Sequence, residues 1–228
     1  MNKFRIGLIT AILTFTVSTQ TMAAFVLNGT RFIYEEGKKN TSFEVKNQSD
    51  RLYGGQVWIN NSSKDDGVYM VPSPPFFKVN PKQSQIIRIM NVNDVLPKDR
   101  ESLFWLNVQE VPTKPKESDG NVLSIAMNTQ VKLIYRPKQL IGNRENAESK
   151  IQIVNRNGTT YLKNPTPYYF AITGIRENGK QIKLSSSVME SITRFSPLSE
   201  VSLEKMLSND ITIEAINDWG GIQEFKLK

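Results

Sequence analysis

The chain has 228 residues with no cysteine and no histidine, and its 29 lysines and arginines outnumber its 22 aspartates and glutamates. This composition excludes disulfides, thiolate nucleophiles, Ser-His-Asp triads and histidine-based metal sites. An enzyme built from these residues would depend on carboxylates, lysine, tyrosine or a cofactor, so a binding protein is favoured over an enzyme, with no metal and no cofactor expected.

The net charge of +7 is spread along the whole chain rather than gathered with aromatic residues or glycine. A nucleic-acid site normally concentrates its basic residues, so no nucleic acid is expected as a partner. With 39% hydrophobic and 22% charged residues, the composition is that of an ordinary globular protein of one or two domains.

Residues 1–24 are predicted to be a secretory signal peptide. Lys3 and Arg5 precede an apolar stretch at residues 6–17, and small residues allow cleavage after Ala23 or Ala24. This stretch is shorter than the roughly 20 apolar residues of a membrane anchor, so a membrane-embedded protein is not expected. A secreted chain without cysteine must be stabilised by packing alone, and the bacterial periplasm is the expected location.

The rest of the chain has the pattern of antiparallel β-sandwiches, in which short runs of β-branched and aromatic residues alternate with turn residues. In the first half, strands are predicted at residues 25–34, 41–47, 55–60, 85–90, 103–110 and 121–136. In the second half, they are predicted at residues 151–155, 161–164, 168–176, 180–184, 194–195, 210–217 and 223–227. The predicted fold is all-β, with domains at residues 25–139 and 146–228 and a polar linker at residues 140–145.

The predicted strand at residues 121–136 is about twice the usual length. Its odd positions are mainly apolar and comprise Leu123, Ile125, Met127, Thr129, Val131, Leu133 and Tyr135. Two interpretations remain open at this point. Either all of these side chains fill a sandwich core, or the first three form an exposed edge that a partner is meant to cover. At even positions, Lys132 and Arg136 share the other face about 13 Å apart, facing either solvent or a cleft between the domains.

Several segments, in the same order along the chain, resemble the periplasmic pilus chaperones of Gram-negative bacteria. The matching segments are residues 28–34, 73–77, 96–104, 121–137, 163–169 and 216–221. The resemblance implies two immunoglobulin-like sandwich domains arranged as an L or boomerang with a cleft between them. It also implies pilus (fimbrial) subunits and an outer-membrane usher as partners.

The resemblance further assigns roles to particular residues. Arg31 and Lys132 are expected to hold the C-terminal carboxylate of a subunit in the cleft. Leu123, Ile125 and Met127 are expected to form a donor strand that completes the fold of the subunit, and the same edge allows possible self-association. Glu101, Arg136 and Asp218 are expected to form an interdomain ion-pair network. Pro74 and Pro75 mark a possible cis peptide bond, and the absence of cysteine indicates the short-loop class of the family.

Two other functions compete with this interpretation. A secreted two-domain immunoglobulin-like adhesion or carbohydrate-binding protein would use Trp58, Trp105 and Trp219 to stack on sugars, although core packing is the expected role of tryptophan in a sandwich. A carboxylate-based hydrolase would use pairs such as Asp65 with Asp66 or Glu35 with Glu36. Adjacent acidic residues in loops are usually solvated, so the hydrolase is disfavoured.

Overall fold

The computed structural model describes residues 23–62, 66–114, 125–208 and 210–227. In the first half of these ranges, the chain forms β1 (Phe25–Leu27), β2 (Arg31–Glu35), β3 (Thr41–Asn47), β4 (Tyr53–Asn61), β5 (Met70–Ser73), β6 (Phe76–Val79), β7 (Ser84–Asn91), β8 (Ser102–Pro112) and β9 (Asn128–Arg136). A sheet with the order β1-β3-β7-β5 faces a sheet with the order β2-β9-β8-β4-β6. The period-2 alternation of apolar residues places Phe43, Val45, Ile87 and Leu106 in the core between them, all essentially inaccessible to solvent.

The second half of the chain forms another sandwich. Its elements are β10 (Gln152–Arg156), β11 (Thr159–Asn164), β12 (Ile172–Glu177), β13 (Lys180–Gln181), α1 (Ser186–Thr193), β14 (Ser199–Ser202), β15 (Ile211–Ile216) and β16 (Ile222–Lys226). The sheets have the orders β10-β11-β14 and β13-β12-β15-β16. A separate core, which includes Leu162, Ile172, Phe195 and Ile213, fills the space between them. The prediction of an all-β protein with two sandwich domains is therefore confirmed.

The predicted strand at residues 25–34 is wrong in one respect, because it is two strands in different sheets. The chain leaves the first sheet at residues 28–30, where the side-chain Oδ1 of Asn28 accepts a hydrogen bond from the backbone N–H of Glu44 (2.9 Å). Beyond this crossing, β2 pairs in parallel with β9, and Arg31 lies directly opposite Lys132. The crossing of the chain from the first sheet to the second therefore brings together two cations that are about 100 residues apart in the sequence.

Several short strands and one helix were not predicted from the sequence. The strands β5, β6 and β14 have only four residues each, too few to show a clear alternation. Helix α1 was also missed, because only Val188 and Ile192 of its residues are buried. Ser185 caps its N-terminus by accepting a hydrogen bond from the backbone N–H of Val188 (3.4 Å). The predicted strand at residues 180–184 stops at Gln181.

The segment predicted as a linker is well packed. Residues Lys138–Asn143 and Ala147–Lys150 form short 3₁₀ helices, and Leu140 and Ala147 join the core of the second sandwich. Arg144, between the two helices, is also buried. The connection between the domains is thus held at several points.

Of the two prolines at which a cis bond was predicted, Pro74 has one. It joins Ser73 to Pro74, and the bond between Pro74 and Pro75 is not cis. Within the described ranges, no helix combines the length and apolar character that crossing a membrane requires.

Candidate functional site

The sequence-predicted cations Arg31 and Lys132 meet at the boundary between the two sandwiches. They are register partners on the neighbouring strands β2 and β9, so their side chains leave the same face of the sheet. Arg31 donates from Nη1 to the carbonyl oxygen of Ile216 (2.9 Å), and Lys132 donates from Nζ to the carbonyl oxygen of Thr193. Both acceptors belong to the second domain, so each cation spans the cleft.

The electrostatic environment of this pair is unfavourable for two positive charges. The pKa of Lys132 is lowered to about 8, mainly by burial and also by the positive charges of Arg31 and Arg194. Burial also lowers the pKa of Arg31, and its buried Nε has no hydrogen-bond partner among the described residues. A buried donor without a partner costs about 1–3 kcal/mol, so this site is suited to an incoming anion.

A small cavity adjoins the two cations, and a larger cavity shares part of its lining. The smaller has room for about 10 Å³ of solvent and is lined by Arg31, Lys132 and Arg194 together with apolar side chains. The larger has a volume of about 520 Å³ and is lined partly by serine side chains of the second domain. Leu103, Tyr169 and Arg194 line both cavities, so they stand where the small cavity meets the open cleft.

Next to the cations, Arg136 joins the two domains by ion pairs. Its Nε donates to Glu101 Oε1 (2.6 Å), and its Nη1 and Nη2 donate to the two carboxylate oxygens of Asp218 (2.7 and 3.1 Å). Glu101 also accepts a hydrogen bond from the backbone N–H of Tyr169 (2.7 Å). The three residues predicted to form an interdomain network are therefore in direct contact.

The pKa shifts in this network have identifiable causes. Burial raises the pKa of Glu101, against the opposing effect of Arg136. Burial also acts to raise the pKa of Asp218, but the hydrogen bonds and charge of Arg136 outweigh it and hold the pKa below the usual aspartate range. Burial alone would lower the pKa of Arg136, yet its two carboxylate partners raise it.

Sequence reasoning missed two members of this cluster, Arg144 and Glu148. The guanidinium of Arg144 donates to both carboxylate oxygens of Glu148 (2.8 and 2.6 Å), and its Nε lies 3.7 Å from Asp218 Oδ1. Arg144 also lies over the rings of Tyr168 and Phe170, at 5.5 and 5.1 Å. The only available signal was their i, i+4 spacing, which surface helices also show.

The predicted edge strand divides into buried and exposed parts. Leu133 and Tyr135 are buried, whereas the side chains of Ile125 and Met127 are 65% and 48% exposed. The described strand begins at Asn128, and residues 125–127 continue it by one hydrogen bond, from the backbone N–H of Glu110 to the carbonyl oxygen of Met127 (2.8 Å). The interpretation that every odd side chain fills the core is therefore wrong. Leu123 lies outside the described residues.

The residues of the two competing hypotheses have other environments. Packing was expected for tryptophan, but the side chain of Trp219 is 95% exposed, and Trp58 and Trp105 are only partly buried. Glu35 pairs with Lys38 (2.7 Å), and Glu36 pairs with Lys98 (3.2 Å). Among the described residues, no group of three or more acidic side chains is arranged to hold a metal ion.

Comparison with known proteins matches both halves of the chain to one family. Residues 24–141 match the model of the pili and flagellar-assembly chaperone PapD N-terminal domain, and residues 146–227 match that of the pili assembly chaperone PapD C-terminal domain. The chain belongs to the pili assembly chaperone family. This is a family of chaperones rather than of enzymes.

Individual chaperones show the same relationship. The chaperone protein FanE of Escherichia coli is 50% identical over 222 residues, covering 96% of this chain and 95% of FanE. The chaperone protein MrkB of Klebsiella pneumoniae is 33% identical, covering 86% and 87% of the two chains. Among solved structures, a chain from the complex of the Salmonella enterica SafA pilin with the SafB chaperone superposes with a TM-score of 0.77 at 25% identity, covering 90% of this chain and 96% of that one.

The ion-pair cluster leads to a prediction for Asp218→Asn. Removing this carboxylate leaves Arg136 and Arg144 without a shared partner, so we expect the free energy of unfolding at neutral pH to fall by about 3 kcal/mol. Because the folded-state pKa of Asp218 is lowered, its contribution is complete above the usual aspartate range and is lost as the pH falls through the folded pKa. The difference between wild type and variant should therefore shrink on acidification.

Urea unfolding at a series of pH values measures this difference. The matched control is Asp210→Asn, which removes an exposed carboxylate paired with Lys226 (2.9 Å) and should change stability by less than about 0.5 kcal/mol. Equal effects of the two substitutions at neutral pH would contradict the prediction.

Proposed function

We propose that this protein is a periplasmic chaperone that binds pilus subunits by donor-strand complementation, caps them and delivers them to an outer-membrane usher. The observation that carries the proposal is the pair of cations, buried Arg31 and half-buried Lys132, on strands that adjoin the exposed apolar residues Ile125 and Met127. The proposal includes a signal peptide at residues 1–24, domains at residues 25–139 and 146–228, and a connection at residues 140–145.

In the first step, the C-terminal carboxylate of a subunit binds between Arg31 and Lys132. The two cations repel each other in a partly desolvated site, and an incoming anion removes that repulsion. The carboxylate also accepts charge-assisted hydrogen bonds, each contributing about 1.5–3 kcal/mol. Since the anion is held at one point of the strand, it sets the register of whatever pairs beside it.

In the second step, the edge of β9 pairs with the subunit. Strand β2 covers one side of β9 only from Lys132 onward, so the backbone of residues 128–131 is left open on that side in the described part of the sheet. Strand addition of this kind is an established mode of chaperone–pilin recognition. Leu123, Ile125 and Met127 then enter the apolar groove of the subunit, each contributing on the order of 1.5–3 kcal/mol.

Other parts of the proposal follow from the same arrangement. The network of Glu101, Arg136 and Asp218 holds the angle between the domains and thereby the shape of the cleft.

In the absence of a subunit, the open edge of β9 would allow two copies of the chaperone to pair. The lack of cysteine supports assignment to the short-loop class of the family, because the members with long loops carry a disulfide.

Family membership favours the chaperone over the adhesion or carbohydrate-binding alternative. Periplasmic co-expression with candidate pilus subunits discriminates between them. A chaperone copurifies with a folded subunit, whereas an adhesin does not. Recovery of the protein without any subunit from its native periplasm would argue against the proposal.

Lys132→Met is predicted to abolish subunit capture while the protein stays folded. The substitution keeps the aliphatic stem and removes the charge, and it also relieves the repulsion with Arg31. Pull-down of the subunit after periplasmic co-expression measures capture, and thermal unfolding monitors the fold. Lys163→Met, at an exposed position of β11, is the control and should capture normally. A normal yield of complex from Lys132→Met would contradict the anchor.

Subunit affinity is predicted to fall as the pH rises through 8. The lowered pKa of Lys132 means that the free chaperone loses this charge near pH 8, while a bound carboxylate favours the charged form. Dissociation constants measured on both sides of pH 8 should differ, with weaker binding at the higher pH. In Lys132→Arg the charge persists across this range, so whatever affinity remains should depend less on pH.

Ile125→Glu and Met127→Glu are predicted to weaken subunit binding with little effect on the free protein. Both side chains are exposed, so the free energy of unfolding should change by less than about 0.5 kcal/mol. Val95→Glu, at another exposed apolar position, serves as the control for added charge and should bind normally. A large loss of stability in either edge variant would show that its side chain belongs to the core instead.

A further inference from the structure

The proposed carboxylate site is bordered by a third cation, Arg194, which the sequence did not single out. Arg194 directly follows helix α1, and the preceding residue, Thr193, provides the carbonyl oxygen that accepts a hydrogen bond from Lys132. A second anchor holds this part of the chain, because Phe195 exchanges backbone hydrogen bonds with Phe170 (3.0 Å each way). The backbone of Arg194 is therefore fixed at the rim of the cleft.

The two cavities show what Arg194 is placed to contact. The smaller cavity, beside Arg31 and Lys132, has a solvent volume of about 10 Å³, which suits one water-sized group. One carboxylate oxygen fits that space, which leaves the second oxygen outside it. Arg194 lines both this cavity and the larger one, so its side chain borders the mouth of the small cavity, where that second oxygen would emerge.

The charge distribution supports the same placement. Arg194 is close enough to act on the charge of Lys132, and its positive charge lowers the pKa of that lysine. The other residues that line the small cavity are Leu103, Ile134, Tyr169, Phe170 and Ala171. None of these carries a negative charge at neutral pH, although Asp218 acts on Arg31 from outside the cavity and Glu200 lines the larger cavity. The three cations therefore share a cavity whose own lining has no carboxylate, and an anion that entered it would stabilise them.

In this structure, Arg194 has an exchangeable partner. Its Nη2 donates to Glu190 Oε1 (2.6 Å), one helical turn earlier, and both side chains are largely exposed. Exposed ion pairs of this kind contribute only about 0.2–1 kcal/mol, so replacing one carboxylate partner with another costs little. Glu190 can therefore be exchanged for a carboxylate that enters the cleft.

We infer that Arg194 is a third carboxylate-binding side chain of the cleft, which exchanges Glu190 for the C-terminal carboxylate of a bound subunit. The inference rests on the proposed function for the identity of the natural ligand. The site itself is defined by the cavity and its cations, so a simple carboxylate probes it without any subunit.

The test uses acetate as the probe and the full mature protein. The ¹³Cε NMR signal of Lys132 is followed through acetate titrations at low ionic strength, because salt screens a partly exposed charge. Arg194→Gln should weaken acetate binding about fivefold, and Glu190→Gln should tighten it about twofold by freeing Arg194. Arg176→Gln is the matched control: it also removes an arginine paired with an acidic residue, Glu224 (2.5 Å), in the second domain.

Subunit capture by the same variants completes the test. Arg194→Gln should lower the yield of complex, and Arg176→Gln should not. Equal acetate affinity in wild type and Arg194→Gln would overturn the inference, as would the absence of any acetate response at Lys132 in the wild type. Neither result bears on whether the protein is a chaperone, which copurification of a subunit with the wild type decides separately.

Discussion

The structure depends most on the guanidinium of Arg136, which lies between a carboxylate of the first domain and a carboxylate of the second. Its hydrogen bonds to Asp218, and the bond that Glu101 accepts from the backbone N–H of Tyr169, cross the boundary between two sandwiches that have separate cores. A planar guanidinium with donors on several sides suits this position, because it binds both carboxylates in fixed directions. The contacts of Arg31 with Ile216 and of Lys132 with Thr193 join the same two domains beside this junction.

Burying so many charges is tolerable only because they are balanced. Arg136 and Arg144 are neutralised by three carboxylates, those of Glu101, Glu148 and Asp218. Desolvation of these groups is expensive, and a buried network adds little net stability over apolar packing. Its value lies in geometry, since the contact between Arg136 and Asp218 requires the two domains to meet in one arrangement. The buried Arg144 extends that constraint into the connection between them.

The cations that face the cleft break this balance. Arg31 is buried and Lys132 is half-buried beside it, neither forms an ion pair with a carboxylate among the described residues, and the edge next to them exposes Ile125 and Met127. In a protein that acted alone, both features would be liabilities, one for stability and one for aggregation. A partner that brings a chain-terminal carboxylate and an apolar groove removes both. Under the proposed function, the charge pair would set the register and the apolar residues would add burial along the edge.

Local sequence patterns were sufficient for much of this protein. Alternation of apolar residues identified most strands and both sandwich domains, and the composition excluded cysteine and histidine chemistry, because these properties depend only on residue types and their spacing. The motifs shared with the chaperone family also named Arg31, Lys132, Glu101, Arg136 and Asp218. The structure brings each proposed pair or network together.

Contacts between distant residues required the tertiary structure. The sequence pattern showed no periodicity that would predict four features of the structure. These are the switch of the first strand between two sheets, the burial of Arg144 and Glu148, the exposure of Trp219 and the position of Arg194. Each depends on contacts between residues that are far apart in the sequence. The alternation of a strand specifies which side chains share a face, but what that face meets is decided only when the two domains pack together.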